Sequence, residues 1–470
     1  MFSARASTDE AAAYDEGKHL GDSIFFYDAR TTTSMEEMRR SLLERCFPGD
    51  GVGSGCLSLL TTAVTPAMLA LPMAFSVGGL KFALACITFC IAMTIMSVRF
   101  LALASASAAS DDYESVAGFF LGVKGKWFAR FVLFLYNFGS GVVYLCFLKD
   151  VVMSIISVKG TFLPIWLQGS VGGILAFLLF VACVTPFTFN SRLASLRTMG
   201  FASNILTTFI IVSIIYRLFV PLGDPEEGTV VGGGSTEVAV KEGQQDPARW
   251  ELILPYLFAA PIFVFSYEVQ SNVMGVIKDL HDRTGKRIFV CICLALTFAT
   301  AFYLPLGIFG SLSFPHMSQG NILALYDVKR DNLMFVCQAF CCYSAAVSFV
   351  FCMFPCRFAV YMLLSDGASS KVPKKYRIRI GVALAIAGTC CAIFLPDVAK
   401  AVSLLGSLFS STLSMTMPAM FALKMRWSGT YLTSTLDGCL SWFFLFLGVF
   451  MSASGTLVAL LDALGLARHV

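Results

Sequence analysis

The feature that most constrains this chain is a run of apolar windows of about 20 residues that recurs from Cys56 to its end. At roughly 1.5 Å per residue, each window is long enough as a helix to cross a hydrocarbon core of about 30 Å. Membrane strands are excluded, because a barrel strand needs only about 9–11 residues and alternates in polarity. The windows centre on residues 56–79, 80–103, 129–154, 168–187, 196–220, 252–276, 287–311, 333–362, 378–396, 400–422 and 438–461, eleven in all. Charged residues make up only 14% of the chain and the mean hydropathy is +0.76. A soluble domain carries roughly 25% charge. The expected fold class is therefore an all-α membrane protein of about eleven transmembrane helices.

Lys and Arg fix the expected orientation, since cytoplasmic loops retain them. Of the 34, 24 fall on the side that holds the N-terminal tail and the loops around Lys124, Arg192, Lys278, Lys374 and Lys424. An odd number of spans then puts the N-terminus in the cytoplasm and the C-terminus outside. The net charge of +4 reports this topology, and no nucleic-acid partner is expected. The expected location is the plasma membrane, with an internal organelle membrane as the alternative.

The domain reading follows the same pattern. Residues 1–50 form a polar cytoplasmic tail, in which Met35, Met38, Leu42 and Leu43 recur at helical spacing and read either as a helix on the inner membrane surface or as a solvated one. Residues 51–220 hold the first five spans, and 221–250 a Gly-, Glu- and Asp-rich outer loop. Residues 251–425 hold the next five, and 426–470 the last span with the C-terminus. Sixteen Cys lie almost wholly within spans and read as packing residues. The four His all fall outside the spans, so neither a metal site nor a cofactor nor an enzyme activity is expected.

Two spans differ from the rest, and each opens one five-helix half. The first carries Pro66 in mid-span after Thr61, Thr62 and Thr65; the sixth carries Pro261 followed by Phe263, Val264, Phe265, Ser266 and Glu268. A mid-span proline removes one backbone donor and leaves carbonyl and amide groups that need partners inside the membrane. One such proline usually marks a simple kink. Interrupted helices at matching places in two halves point instead to a transporter binding site.

These residues also resemble the amino acid/auxin permease family of the amino acid–polyamine–organocation superfamily. Thr65-Pro-Ala-Met-Leu-Ala-Leu-Pro-Met-Ala-Phe75 with Gly78-Gly79 is similar to that family's first-helix stretch, although Thr65 and Ala67 stand where glycines are usual. Ala260 to Val273 with Lys278-Asp-Leu280 is similar to its sixth-helix signature, and Phe354-Pro-Cys-Arg357 to the end of its eighth helix. Gly141-Val-Val-Tyr-Leu145 with Asp150 resembles a third-helix pattern of protozoan members. The resemblance implies the leucine-transporter fold, two inverted five-helix repeats plus one helix. It also implies secondary active transport of amino acids by alternating access, with a proton or sodium ion as coupling partner.

The expected substrate site comprises Thr62, Thr65, Pro66 and Ala67 in the first span and Phe263, Val264, Phe265 and Ser266 in the sixth, both unwound there. Tyr144 joins them through the resemblance, on a third-span face that also carries Asn137, Ser140 and Gly141. The resemblance also implies that Ser344 and Ser348, one turn apart in the eighth span, lie beside the first break as ion ligands. Glu268 is the one charge placed clearly inside a span, and three roles stay open for it: a cap on the broken helix, the counter-ion of a cationic substrate, or a proton carrier. Lys149, Asp150 and Arg99 are expected to snorkel to the interface. The alternative function is an amino-acid sensor that binds without net transport; a channel is disfavoured because no pore-loop motif appears.

Overall fold

The structure is a computed structural model that describes residues 51–157, 170–189, 194–220, 253–280, 284–317, 319–364, 372–395, 397–429 and 434–463. The stretch from Met35 to Leu43, the outer loop from Pro221 to Arg249 and the C-terminal residues from 464 lie outside these. Among the described residues every regular element is helical. Nine helices are long and apolar enough to cross a membrane: Leu80–Ala108, Tyr113–Ile156, Val171–Phe189, Met199–Phe219, Gly285–Ser313, Asn332–Leu364, Lys374–Phe394, Val398–Trp427 and Thr435–Val458. Val52–Ala63 with Pro66–Gly78 qualifies as a pair bent by 48°. Leu254–Ser266 and Gln270–Asp279 fill the remaining place, the sixth. They do not qualify by composition, because the second half carries Gln270, Ser271, Asn272, Lys278 and Asp279. The eleven are called first to eleventh spans in chain order.

Their up-and-down order is tied by ion pairs between chain-distant ends. Arg99, near the end of the second span, grips Asp437 at the start of the eleventh (2.7 Å). Arg217, at the end of the fifth, grips Asp331 just ahead of the eighth (2.6 Å). Each pair joins ends that an alternating path brings to the same side. Arg130 of the third span holds Glu114 at 2.7 Å. Glu114 lies in the short helix before Gly122, whose φ of 72° breaks Tyr113–Ser157 in two at a conformation that suits glycine.

The third span runs through the middle of the helices, packing on the eighth, ninth and tenth, while the seventh packs on both halves of the first. The tenth changes to wide π turns over Gly406–Ser410 and Thr412–Thr416, where it lies against the sixth. Gly406 makes that contact close: a Cβ there would stand 2.0 Å from the Pro261 carbonyl oxygen.

The structure adds detail to two sequence expectations and corrects a third. Arg130, Asp331, Arg357 and Asp437 are buried as well as Glu268, because ion pairing or stacking on a ring lets a charge near a span end turn inward. Lys149, half-buried near the end of the third span, donates to the carbonyls of Ala392 and Leu395 (both 2.9 Å), satisfying the C-terminus of the ninth span. The sixth span stays helical through Phe263–Ser266 and opens only at Tyr267–Val269. Pro261 does not end that helix, since the Ser403 hydroxyl of the tenth span donates to Phe258 O (2.8 Å) beside the proline gap.

Candidate functional site

The first span ends its opening half at Ala63. Val64 leaves the helix (φ −81°, ψ 83°), Thr65 is extended (φ −120°, ψ 164°), and a 3-10 turn restarts at Pro66, whose ring suits the first helical position. Pro66 has no amide to give, so the ladder fails there. Thr65 N–H turns back to Ala63 O (3.0 Å) and Met68 N–H reaches Thr65 O (3.1 Å). The carbonyls of Thr61, Thr62 and Val64 and the amide of Ala67 are left without hydrogen-bond partners among the described residues. Val64, Thr65 and Ala67 are nevertheless buried. Such groups in an apolar setting call for a ligand or water.

The sixth span satisfies the amides of its own break. Tyr267 and Glu268 amides bond back to Phe263 O and Phe265 O. Val269 N–H goes to the Gln270 side chain at 2.9 Å. Glu268 accepts from Ser271 N–H (2.8 Å), from the Ser271 hydroxyl (2.9 Å) and from the Gln270 amide, and so caps the second half-helix. The third span adds Tyr136, whose hydroxyl donates to the same carboxylate. Four donors thus surround a carboxylate that is 3% exposed, and no Lys or Arg pairs with it among the described residues. Thr94 of the second span donates to Tyr267 O at 3.2 Å.

The two breaks meet through aromatic side chains. Tyr144 on the third span is buried and its hydroxyl is hydrogen-bonded to that of Thr65. Two turns earlier on the same face, Tyr136 sets its ring 5.9 Å from Phe265. Phe263 packs against Phe75 of the first span at 5.6 Å. Tyr303 of the seventh span lies 2.6 Å from Ala63 O and 2.9 Å from Ser266 O with its one hydroxyl.

Of the residues expected from sequence, the structure gathers Thr65, Pro66, Ala67, Tyr144, Phe263, Phe265, Ser266 and Glu268, with Val264 buried alongside. Thr62 is at the edge, its hydroxyl spent on Leu59 O (2.9 Å). Ser344 faces the fifth span, 3.4 Å from both the Thr207 hydroxyl and Ser203 O, while Ser348 is buried one turn on. Tyr136, Thr94, Gln270, Ser271 and Tyr303 were not anticipated. Tyr136 carried a signal, since it continues the third-span face at i−4 from Ser140 and i−8 from Tyr144. A lone Tyr303 in an apolar helix carried none.

Paired interruptions in the first and sixth spans, facing each other in the core of a membrane protein whose described residues form helices throughout, define a secondary transporter of the leucine-transporter fold. A solved structure titled as that of MhsT in complex with L-phenylalanine superposes with a TM-score of 0.51 at 15% identity, over 86% of this chain and 98% of that one, which supports the fold. Residues 48–461 match the family described as "Transmembrane amino acid transporter protein", and the chain belongs to that family. Among its relatives, "Vacuolar amino acid transporter 5" of Schizosaccharomyces pombe is 24% identical over 379 residues, 78% of this chain and 83% of that one. "Amino acid transporter AVT6E" of Arabidopsis thaliana is 23% identical over 432 residues, 87% and 83% of the two. The human "Solute carrier family 38 member 10" is 22% identical over 388 residues, 78% of this chain but 32% of that longer protein.

Proposed function

We propose that the protein carries amino acids across its membrane by secondary active transport, alternating access to a site between the two breaks. The observation that carries this reading is the asymmetry of the breaks. At the sixth every backbone amide finds an acceptor, whereas the first leaves the buried Ala67 amide and Val64 carbonyl unpartnered among the described residues, with the free carbonyls of half-buried Thr61 and Thr62 beside them. An amino acid supplies the complement in one molecule, a carboxylate for the Ala67 N–H and an ammonium group for the carbonyls. Thr65 and Tyr144 stand beside that position, and Phe263 to Ser266 wall it on the far side. Glu268, held by four donors, serves as the cap of the sixth break rather than as counter-ion or proton carrier. The coupling ion is a proton or sodium; with Ser344 engaged by the fifth span, Ser348 is the hydroxyl free to contribute to a sodium site.

The N-terminus is proposed to be cytoplasmic and the C-terminus outside, with two five-span repeats and one additional span in the lipid bilayer. Cell-surface placement is the sequence expectation; the name of the yeast relative favours a vacuolar membrane, and imaging of a fluorescent fusion separates the two. The sensor reading is not favoured, because the family and the relatives are described as transporters.

The site is tested by binding and uptake of radiolabelled amino acids with Tyr144→Phe, Tyr144→Ala and Ser348→Ala. Weaker binding in the Tyr144 variants, with folding intact, is the expected result. If all three match the parent, the substrate binds elsewhere.

A further inference from the structure

Ala63 and Ser266 are the last residues of their half-helices, so their carbonyls are the negative ends of two helix dipoles. In transporters built of broken helices, such ends are where a coupling cation is held. Here one side chain reaches both: the Tyr303 hydroxyl stands 2.6 Å from one oxygen and 2.9 Å from the other and has a single proton to share between them. Tyr303 is 0% exposed and is held from behind. Its ring meets that of Tyr267 edge-on at 5.2 Å, and the Tyr267 hydroxyl is 2.9 Å from Thr300, one turn earlier on the seventh span. The Tyr267 carbonyl, also freed at the sixth break, is taken by Thr94.

We infer that the Tyr303 hydroxyl takes the place of a cation between the two half-helix C-termini, so that the space between those two carbonyls holds no sodium and the joining of the half-helices there needs none. The neutral donor joins the first, sixth and seventh spans as a bound ion would, but it cannot leave. Ion specificity at this point therefore belongs to Tyr303, a positioning residue that supports the breaks without a place in the substrate's own contacts. The inference rests on the transport reading only in calling the position a coupling one.

The test uses purified full-length protein and compares the melting midpoint in sodium chloride with that in choline chloride at equal ionic strength. Tyr303→Phe removes the donor, and Tyr303→Ser also opens the space of the ring. Either variant, once folded, should gain a sodium response that exceeds the parent's by about 2 °C or more, as expected when an ion binds only the folded state. A response equal to the parent's in both overturns the inference. Where neither variant folds, Ser344→Ala/Ser348→Ala decides: with Tyr303 in place it should show no sodium response, and one that persists overturns the inference. These arms need no substrate, so failure of uptake sinks the transport reading alone.

Discussion

Glu268→Gln keeps the shape of the side chain and removes its charge, and the structure sets the size of the effect. The carboxylate accepts from Ser271 N–H, the Ser271 hydroxyl, the Gln270 amide and the Tyr136 hydroxyl. An amide retains one acceptor oxygen and turns the other position into a donor that faces a donor. At least one charge-assisted bond worth about 1.5–3 kcal/mol is lost, and the N-terminal dipole loses an anion worth about 0.3–1 kcal/mol. Against this stands the relief of desolvating a buried charge. The donors replace water only in part, so burial offsets some of this loss and Glu268→Gln is expected to be less stable by about 1–2 kcal/mol. The assay is thermal unfolding in detergent, with uptake compared at acid and neutral pH. Equal or greater stability would refute the capping role; loss of cationic substrates alone, or of pH dependence alone, would revive the counter-ion or the proton carrier.

Three further outcomes follow from the geometry. Gly406→Ala sets a methyl group against Pro261 O and is expected to cost about 1–3 kcal/mol in stability, with a fall in uptake, because the strain bears on the wall of the site; a parent-like protein would mean the tenth span yields freely. Thr65→Ala and Tyr144→Phe should be non-additive by about 0.5–1.5 kcal/mol in substrate binding, and strict additivity would deny the bond between their hydroxyls. Asp331→Ala strands Arg217 at the end of the fifth span and should lower stability by about 3–5 kcal/mol with little dependence on salt, whereas a small, salt-sensitive loss would mark the pair as exposed.

The span order was legible in the sequence because apolar length is a local property, and Pro66 marked the first break because a missing amide acts where it stands. Pro261 misled by a few residues. Its freed carbonyl region is served by Ser403, more than a hundred positions away, and the opening is set by Glu268 and Gln270, whose side chains can cap only a helix that restarts just after them. Thr65 and Tyr144 were both named from sequence, yet their contact depends on how the third span crosses the first. Tyr303 stayed hidden for the same reason: a tyrosine in an apolar helix reads as packing until the two carbonyls it serves are brought to it.

The account's central claim is that an amino acid occupies the first break and is carried across, and concentrative uptake into proteoliposomes tests it most directly. With a proton or sodium gradient imposed, the parent protein should accumulate at least one amino acid above the outside concentration, lose it when the gradient is collapsed, and do so poorly as Tyr144→Ala. Saturable binding of amino acids without accumulation under either gradient would contradict the claim.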